Sequence, residues 1–257
     1  MSETSNSKNA AVFIVKFLLF ITVFILFYFL FAYFSYTRLY DVFVPLFENY
    51  NFFENNAAVS IESDKPPIII LDAGHGGIDG GAVSASGIKE KDVNLNIATK
   101  IGEFLSIEGV KVVYTRSGDH LLADTSLKRF KQTDLLNRVK LASSYDDGIF
   151  VSIHQNSFAV AKYKGAQVFF SPNNPKSEAF AIVLQTDIIK TLQPENNRVA
   201  KKADSNIFVL DRLSNVAVMI ECGFLSNVEE AELLNTDEYQ NKFAYVVSQA
   251  IIRYLNL

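Results

Sequence analysis

Three stretches of this chain end an apolar run in a side chain that can do chemistry. The first is Ile68-Ile69-Ile70-Leu71-Asp72-Ala73-Gly74-His75-Gly76-Gly77, four apolar residues leading to a histidine set among glycines. The second is Phe150-Val151-Ser152-Ile153-His154-Gln155-Asn156, again ending in a histidine. The third is Val216-Ala217-Val218-Met219-Ile220-Glu221-Cys222-Gly223-Phe224, which ends in a glutamate with a glycine close behind. His75 taken alone reads equally well as a satisfied loop histidine. A buried strand end, however, is a poor place for an unpaired carboxylate. Three strands bringing two histidines and one glutamate to one sheet edge therefore point to a shared site. His120, the remaining histidine, follows Gly118-Asp119 and reads as a solvated loop residue.

Two histidines and a carboxylate with an open position describe a catalytic zinc site, and a further acid can handle the proton of the attacking water. Spacing does not choose the acids. Glu90 lies in Gly87-Ile88-Lys89-Glu90-Lys91-Asp92, just before a helix, where a negative charge is also favoured by the helix dipole. Asp72, Asp79 and Asp92 are as well placed for a ligand. Cys222, the single cysteine, reads as a small buried filler beside Glu221, with no histidine partnered to it as a nucleophile would need.

These side chains need a framework that delivers strand ends to one edge. Four consecutive apolar residues suit a strand covered on both faces. In open α/β sheets the site lies at the C-terminal ends of such strands. Strand signals fall at Ile68–Asp72, Val110–Thr115, Ile149–His154, Ala166–Ser171, Ile207–Leu210 and Val216–Glu221. Helical periodicity runs through Val93–Leu105, Leu135–Ala142, Ala179–Leu192 and Phe243–Tyr254. The alternation predicts an α/β single domain over residues 68–257, with a mostly parallel central sheet of about six strands flanked by helices.

The segment before the domain has a different composition. Residues 1–9 are polar and read as a cytoplasmic tail. Residues 10–37 turn apolar, and no charge appears from Phe17 through Thr37. That length suffices for one transmembrane helix, and Tyr28, Tyr33 and Tyr36 sit where an aromatic belt is expected. Ala32 and Ser35 are spaced wrongly for a signal-peptide cleavage site. Lys8 and Lys16 before the span, against Arg38 after it, favour the N-terminus inside. Residues 38–67 read as a linker that mixes aromatics with acids and ends in Lys65-Pro66-Pro67. The net charge of −4 argues against nucleic acid as a partner.

The chain resembles the zinc-dependent N-acetylmuramoyl-L-alanine amidases of bacterial cell walls, from Ile68 to about Leu257. The resemblance rests on Leu71-Asp72-Ala73-Gly74-His75-Gly76-Gly77, Gly87-Ile88-Lys89-Glu90-Lys91, Thr115-Arg116, Val151-Ser152-Ile153-His154-Gln155-Asn156 and Ile220-Glu221-Cys222-Gly223-Phe224-Leu225-Ser226-Asn227, in the family's order. It implies that His75, Glu90 and His154 hold Zn2+ and that Glu221 is the catalytic acid/base. It implies hydrolysis of the amide between N-acetylmuramic acid and L-alanine, with peptidoglycan as substrate. The catalytic domain would then lie outside the cytoplasmic membrane, held by a single-pass anchor.

Division-associated relatives carry a long insertion with an autoinhibitory helix between the equivalents of His154 and Glu221. Here Pro172 to Asn206 has room for one packing helix and a loop. That segment, the anchor, Gly165-Ala166-Gln167-Val168-Phe169-Phe170 and Asn197-Arg198-Val199-Ala200-Lys201 look like the germination-specific amidases, which prepare muramic lactam in spore cortex. A vegetative role in daughter-cell separation or wall turnover is the alternative, and a different zinc amidohydrolase such as a carbohydrate deacetylase is a further one. An accessory protein that loads zinc or activates the enzyme is not readable from the residues. Asn156 and Arg138 are expected to be structural, and Arg116 to pair with Asp119 or another acid.

Overall fold

The structure is a computed structural model and describes residues 68–257, together with isolated helical positions at Thr22, Leu26 and Tyr28. Apart from those three positions, the expected tail, anchor and linker over residues 1–67 lie outside the described residues. Among the described residues no helix is long and apolar enough to cross a membrane.

The elements run β1 (Ile68–Ala73), α1 (Glu90–Ile107), β2 (Lys111–Tyr114), α2 (Phe130–Ser143), β3 (Gly148–Asn156), β4 (Gln167–Phe170) and α3 (Lys176–Leu192). They continue with β5 (Lys201–Lys202), α4 (Phe208–Arg212), β6 (Val216–Phe224), α5 (Val228–Leu234) and α6 (Asp237–Leu255). One six-stranded sheet results, in the order β2-β1-β3-β6-β4-β5. Neighbouring strands are parallel except for β4, which runs antiparallel to β6. The sheet is thus mixed, with its three apolar central strands aligned.

Side chains alternate between the two faces. Ile69, Leu71, Val151, Ile153, Val218 and Ile220 belong to a core shared with α1, α3 and α6. Ile70, Phe150, Ala217 and Met219 belong to a second core closed by α2 and α4. Apolar residues on both faces explain the unbroken runs that mark β1, β3 and β6 in the sequence.

The strand expected at Ile207–Leu210 is a correction: the segment enters helix α4 instead. A run of four apolar residues does not separate strand from helix by periodicity. The Asp204 carboxylate accepts from Asn206 N at 2.9 Å, and its carbonyl accepts from Ile207 N at 3.1 Å, which turns the chain before it can extend. Val209 and Leu210 then both pack into the second core. The sixth strand is β5, two exposed lysines at the sheet edge with no apolar signal. Helix α5 was also unmarked by periodicity; it starts where Asn227 Oδ1 accepts from Glu230 N at 3.0 Å.

Beneath the C-terminal ends of the strands lies a buried polar network. The Asp72 carboxylate accepts from Thr115 Oγ1 at 2.7 Å, Ser152 Oγ at 2.6 Å and Arg138 Nη1 at 2.5 Å. Arg138 Nε donates to Asp134 one helical turn back at 2.7 Å. Burial would raise the Asp72 pKa, but Arg138, Ser152 and Thr115 together hold it below the usual carboxylate value. Arg138 and Asp72 are almost wholly inaccessible, at 1% exposure each, so neither charge can be left to solvent.

Arg138→Met should therefore strand two buried carboxylates and cost about 3–5 kcal/mol, read as a fall in the urea midpoint. The Asp72 contribution has the usual carboxylate sign. It is present above the unfolded value of about 3.9 and is lost as pH falls through the lower folded pKa.

Candidate active site

The chain leaves β1 in an abrupt turn. His75 has φ of 62°, a left-handed conformation that costs a non-glycine residue energy. The turn is held from below. Arg116 donates to Ala73 O at 2.8 Å, Gly74 O at 3.0 Å and Lys91 O at 2.7 Å. Arg138 donates to Ala73 O at 2.9 Å and His75 O at 2.8 Å. Arg138 is structural, as expected. Arg116 differs from expectation: its guanidinium is spent on backbone carbonyls, while Asp119 takes Lys91 Nζ at 2.6 Å and Gly77 N at 2.7 Å.

Glu90 opens helix α1 and points back under β1 and β3. Its Oε1 lies 3.2 Å from His75 Nε2 and 2.9 Å from His154 Nδ1. Gln155 N donates to the same oxygen at 3.1 Å, and Ala82 N donates to Oε2 at 2.8 Å. One nitrogen from each histidine and one Glu90 oxygen all lie within 4.8 Å of one another. Two glycines permit this approach. A Cβ on Gly74 would lie 2.1 Å from His154 Nε2, and one on Gly81 would lie 2.5 Å from Glu90 Oε2.

The far side of the His75 ring is also held. Its Nδ1 is 2.9 Å from Asp79 Oδ2, and the other Asp79 oxygen accepts from Lys131 Nζ at 2.8 Å. A carboxylate on the outer nitrogen fixes the ring so that Nε2 faces inward, the common arrangement around histidine ligands. Burial would lower the His75 pKa, but Glu90 and Asp79 outweigh it and push the value up to about 8. Glu90 shifts the opposite way: despite burial, its two histidine partners hold its pKa far below the usual range. A carboxylate between two imidazoles must share a positive charge with them, whether that charge comes from protons or from a divalent cation. Two histidine nitrogens and one carboxylate oxygen form a donor set suited to zinc with a coordination position left open.

Glu221 stands directly across from His154 in the β3–β6 register. The residue is half-buried, yet its Oε2 is closed to solvent and finds no hydrogen-bond partner among the described residues. Burial pushes its pKa up to about 7, with Glu90 adding to the shift and the two histidines opposing it. A carboxyl with a pKa near 7 beside this His/Glu cluster can accept and return a proton.

The structure thus brings together His75, Glu90, His154 and Glu221. The other acids left open by spacing go elsewhere. Asp72 lies in the buried network, Asp79 orients His75, and Asp92 is exposed on α1. Cys222 is fully buried, and burial raises its thiol pKa well above the ordinary value, as suits a filler. Sequence reasoning missed the positioning role of Asp79, although it lies only four positions after His75. It also missed Asn94, one turn beyond Glu90. Asn94 donates to Gly74 O at 3.1 Å and accepts from Gln155 Nε2 at 3.1 Å.

A family model described as N-acetylmuramoyl-L-alanine amidase matches residues 69–253. The germination-specific N-acetylmuramoyl-L-alanine amidase of Bacillus subtilis is 37% identical over 190 residues, which cover 73% of this chain and 79% of that protein. Among solved structures, the CwlD amidase from Clostridioides difficile, in complex with the GerS lipoprotein, superposes with a TM-score of 0.70 at 38% identity. That match covers 74% of this chain and 98% of the CwlD chain. The AmiC2 amidase of Nostoc punctiforme gives a TM-score of 0.65 at 28% identity, covering 76% of this chain and all of that one.

The Asp79–His75 contact makes a measurable statement about the cluster. Asp79→Ala frees the ring to rotate and should weaken metal affinity about 10–100-fold without removing any of the three donors. Competition against a chromophoric chelator measures it, and unchanged affinity would show that the ring is fixed by other contacts.

Proposed function

This chain belongs to the N-acetylmuramoyl-L-alanine amidase family, and from that premise we propose that it is a zinc hydrolase of spore-cortex peptidoglycan, with His75, Glu90 and His154 as ligands and Glu221 as acid/base. Amide cleavage between N-acetylmuramic acid and L-alanine is the family's reaction. The observation that carries the residue roles is the closed cluster of two imidazoles and one carboxylate, with Glu221 across the strand pair and its Oε2 without a hydrogen-bond partner among the described residues.

Bound there, zinc would polarise the scissile carbonyl and lower the pKa of a water to about 7. Glu221 takes the proton of the attacking water and delivers it to the departing amine of L-alanine. Its carboxyl suits both steps, because burial has already brought it close to neutral pH. Asp79, Asn94 and Gln155 hold the surrounding groups still, so little reorganisation is required as charge develops.

The cortex assignment is supported by the similarity to the Bacillus subtilis germination-specific enzyme and by the short segment between β4 and β6, where α3 packs on the core face. The uncharged run through Thr37 supports a single-pass anchor over residues 10–37 with the catalytic domain outside the cytoplasmic membrane. In fractionated cells the full chain should sediment with membranes, and protease added from outside should digest the domain. Recovery of soluble full-length protein from the cytoplasm would refute the anchor.

The chemical test is mass spectrometry of muropeptides after purified full-length protein is incubated with peptidoglycan. A free L-alanine amine is expected; release of acetate would indicate a deacetylase. Glu221→Gln should keep its zinc and lose roughly 10²–10⁴ in rate. Glu90→Gln should lose zinc and activity together, because a neutral amide is a poor ligand. Zinc lost from the first variant and kept in the second would mean the two roles are exchanged.

A further inference from the structure

On the β4 side of β6 lies a cavity of about 520 Å³ that the proposed reaction does not use. Lys162, Tyr163, Lys164 and Arg198 line it, along with the acids Glu195 and Glu230. Three basic groups face two acids there, and Glu230 interacts electrostatically with Arg198 and Lys164. Glu230 is buried and both its oxygens are engaged, one by Gly165 N at 2.8 Å and the other by Phe224 N at 2.7 Å. Lys162 and Lys164 are exposed, as is Glu195.

Arg198 is held in a defined pose. Its Nε donates to Lys164 O at 3.1 Å and its Nη1 to Gln167 Oε1 at 3.2 Å. Its guanidinium lies 4.6 Å from the centre of the Phe224 ring, which supports it from one face. Among the described residues Nη2 makes no hydrogen bond, so part of the fork remains available to a ligand. A planar, preorganised guanidinium of this kind matches a carboxylate.

Its distance from the reacting centre can be bounded. Gln167 stands directly opposite Glu221 in the β4–β6 register. Cross-strand neighbours have Cβ atoms about 5 Å apart. With one further side-chain contact, Arg198 lies on the order of 10 Å from Glu221, the span of two to three residues of extended peptide. The leaving group of the amidase reaction is a peptide, and the stem peptides of peptidoglycan carry carboxylates that are either free or amidated.

We propose that Arg198, with Lys162 and Lys164 beside it, binds a free carboxylate within the first three residues of the stem peptide and so makes this site prefer acidic over amidated stems. The inference rests on the amidase reading above and adds the recognition element for its leaving group. The Phe224–Arg198 stack, lying three residues beyond Glu221 on the same stretch of chain, would then couple the peptide's position to that of the proton-handling carboxyl.

The test uses the zinc-loaded full-length protein and two muropeptides that differ only in whether the stem-peptide side carboxylates are free or amidated. The wild type should have the higher kcat/KM for the free acid. Arg198→Ala should lose about 10- to 100-fold on the free acid, mainly through KM, and little on the amide, so that the preference collapses. Arg198→Lys should recover part of the preference, because it keeps the charge and loses the fork. Zinc content and thermal midpoint would be measured for each variant to check the fold. Equal losses on both substrates would make Arg198 a purely structural brace and overturn the proposal. A wild type that cleaves both equally would also overturn it. A wild type that cleaves neither substrate defeats the amidase reading itself, an outcome distinct from a cleaving enzyme without preference.

Discussion

Two buried guanidinium groups grip three consecutive carbonyls at the end of β1, and the site depends on that grip. Arg116 and Arg138 between them donate to Ala73, Gly74 and His75. A histidine in a left-handed conformation would otherwise relax, and with it the inward aim of its ring. The arginines can be buried because Asp72 and Asp134 offset the charge of Arg138, while carbonyl dipoles solvate Arg116. Such a network is weak evidence of net stability, since desolvation offsets much of the attraction. Its value here is directional: it fixes where a short loop must run.

Sheet topology supplies the second condition. β1, β3 and β6 run parallel and adjacent, so their C-terminal ends open on the same side. His154 and Glu221 become cross-strand neighbours by register alone. Glu90 arrives from a different direction, as the first residue of α1. The loop between β1 and α1 is therefore the piece that has to bend most, and small residues at positions 74 and 81 let His154 and Glu90 close over it.

Two carboxyl groups share one neighbourhood and are pushed in opposite directions. Glu90 accepts from histidines and backbone amides and stays ionised. Glu221 is half-buried, its Oε2 closed to solvent and without a hydrogen-bond partner among the described residues, and its pKa is raised towards neutrality. Environments that drive like groups apart in this way suit the two different roles proposed for them. Distance alone would not separate the roles, because both carboxyls lie beside His154.

The sequence by itself determined the three strand ends, the three longer helices between them and the identity of His75, His154 and Glu221 as candidates. Those signals were strong because a strand buried on both faces must be apolar, so a polar residue at its end stands out. It did not choose Glu90 over Asp72, Asp79 and Asp92 by spacing, since the choice depends on how a glycine-rich loop folds back, a matter of long-range closure. The resemblance to known amidases named Glu90, and the geometry supplies the reason: it alone of the four acids bridges both histidines. Ile207–Leu210 read as strand and folded as helix because a short apolar run carries no period, and the nearby core face decided its state. β5 was invisible because an edge strand of two lysines contributes only backbone hydrogen bonds. Asp79 on His75, Arg116 on the carbonyls and Arg198 on Phe224 belong to the tertiary structure alone, because each joins residues whose proximity exists only after the chain has closed on itself.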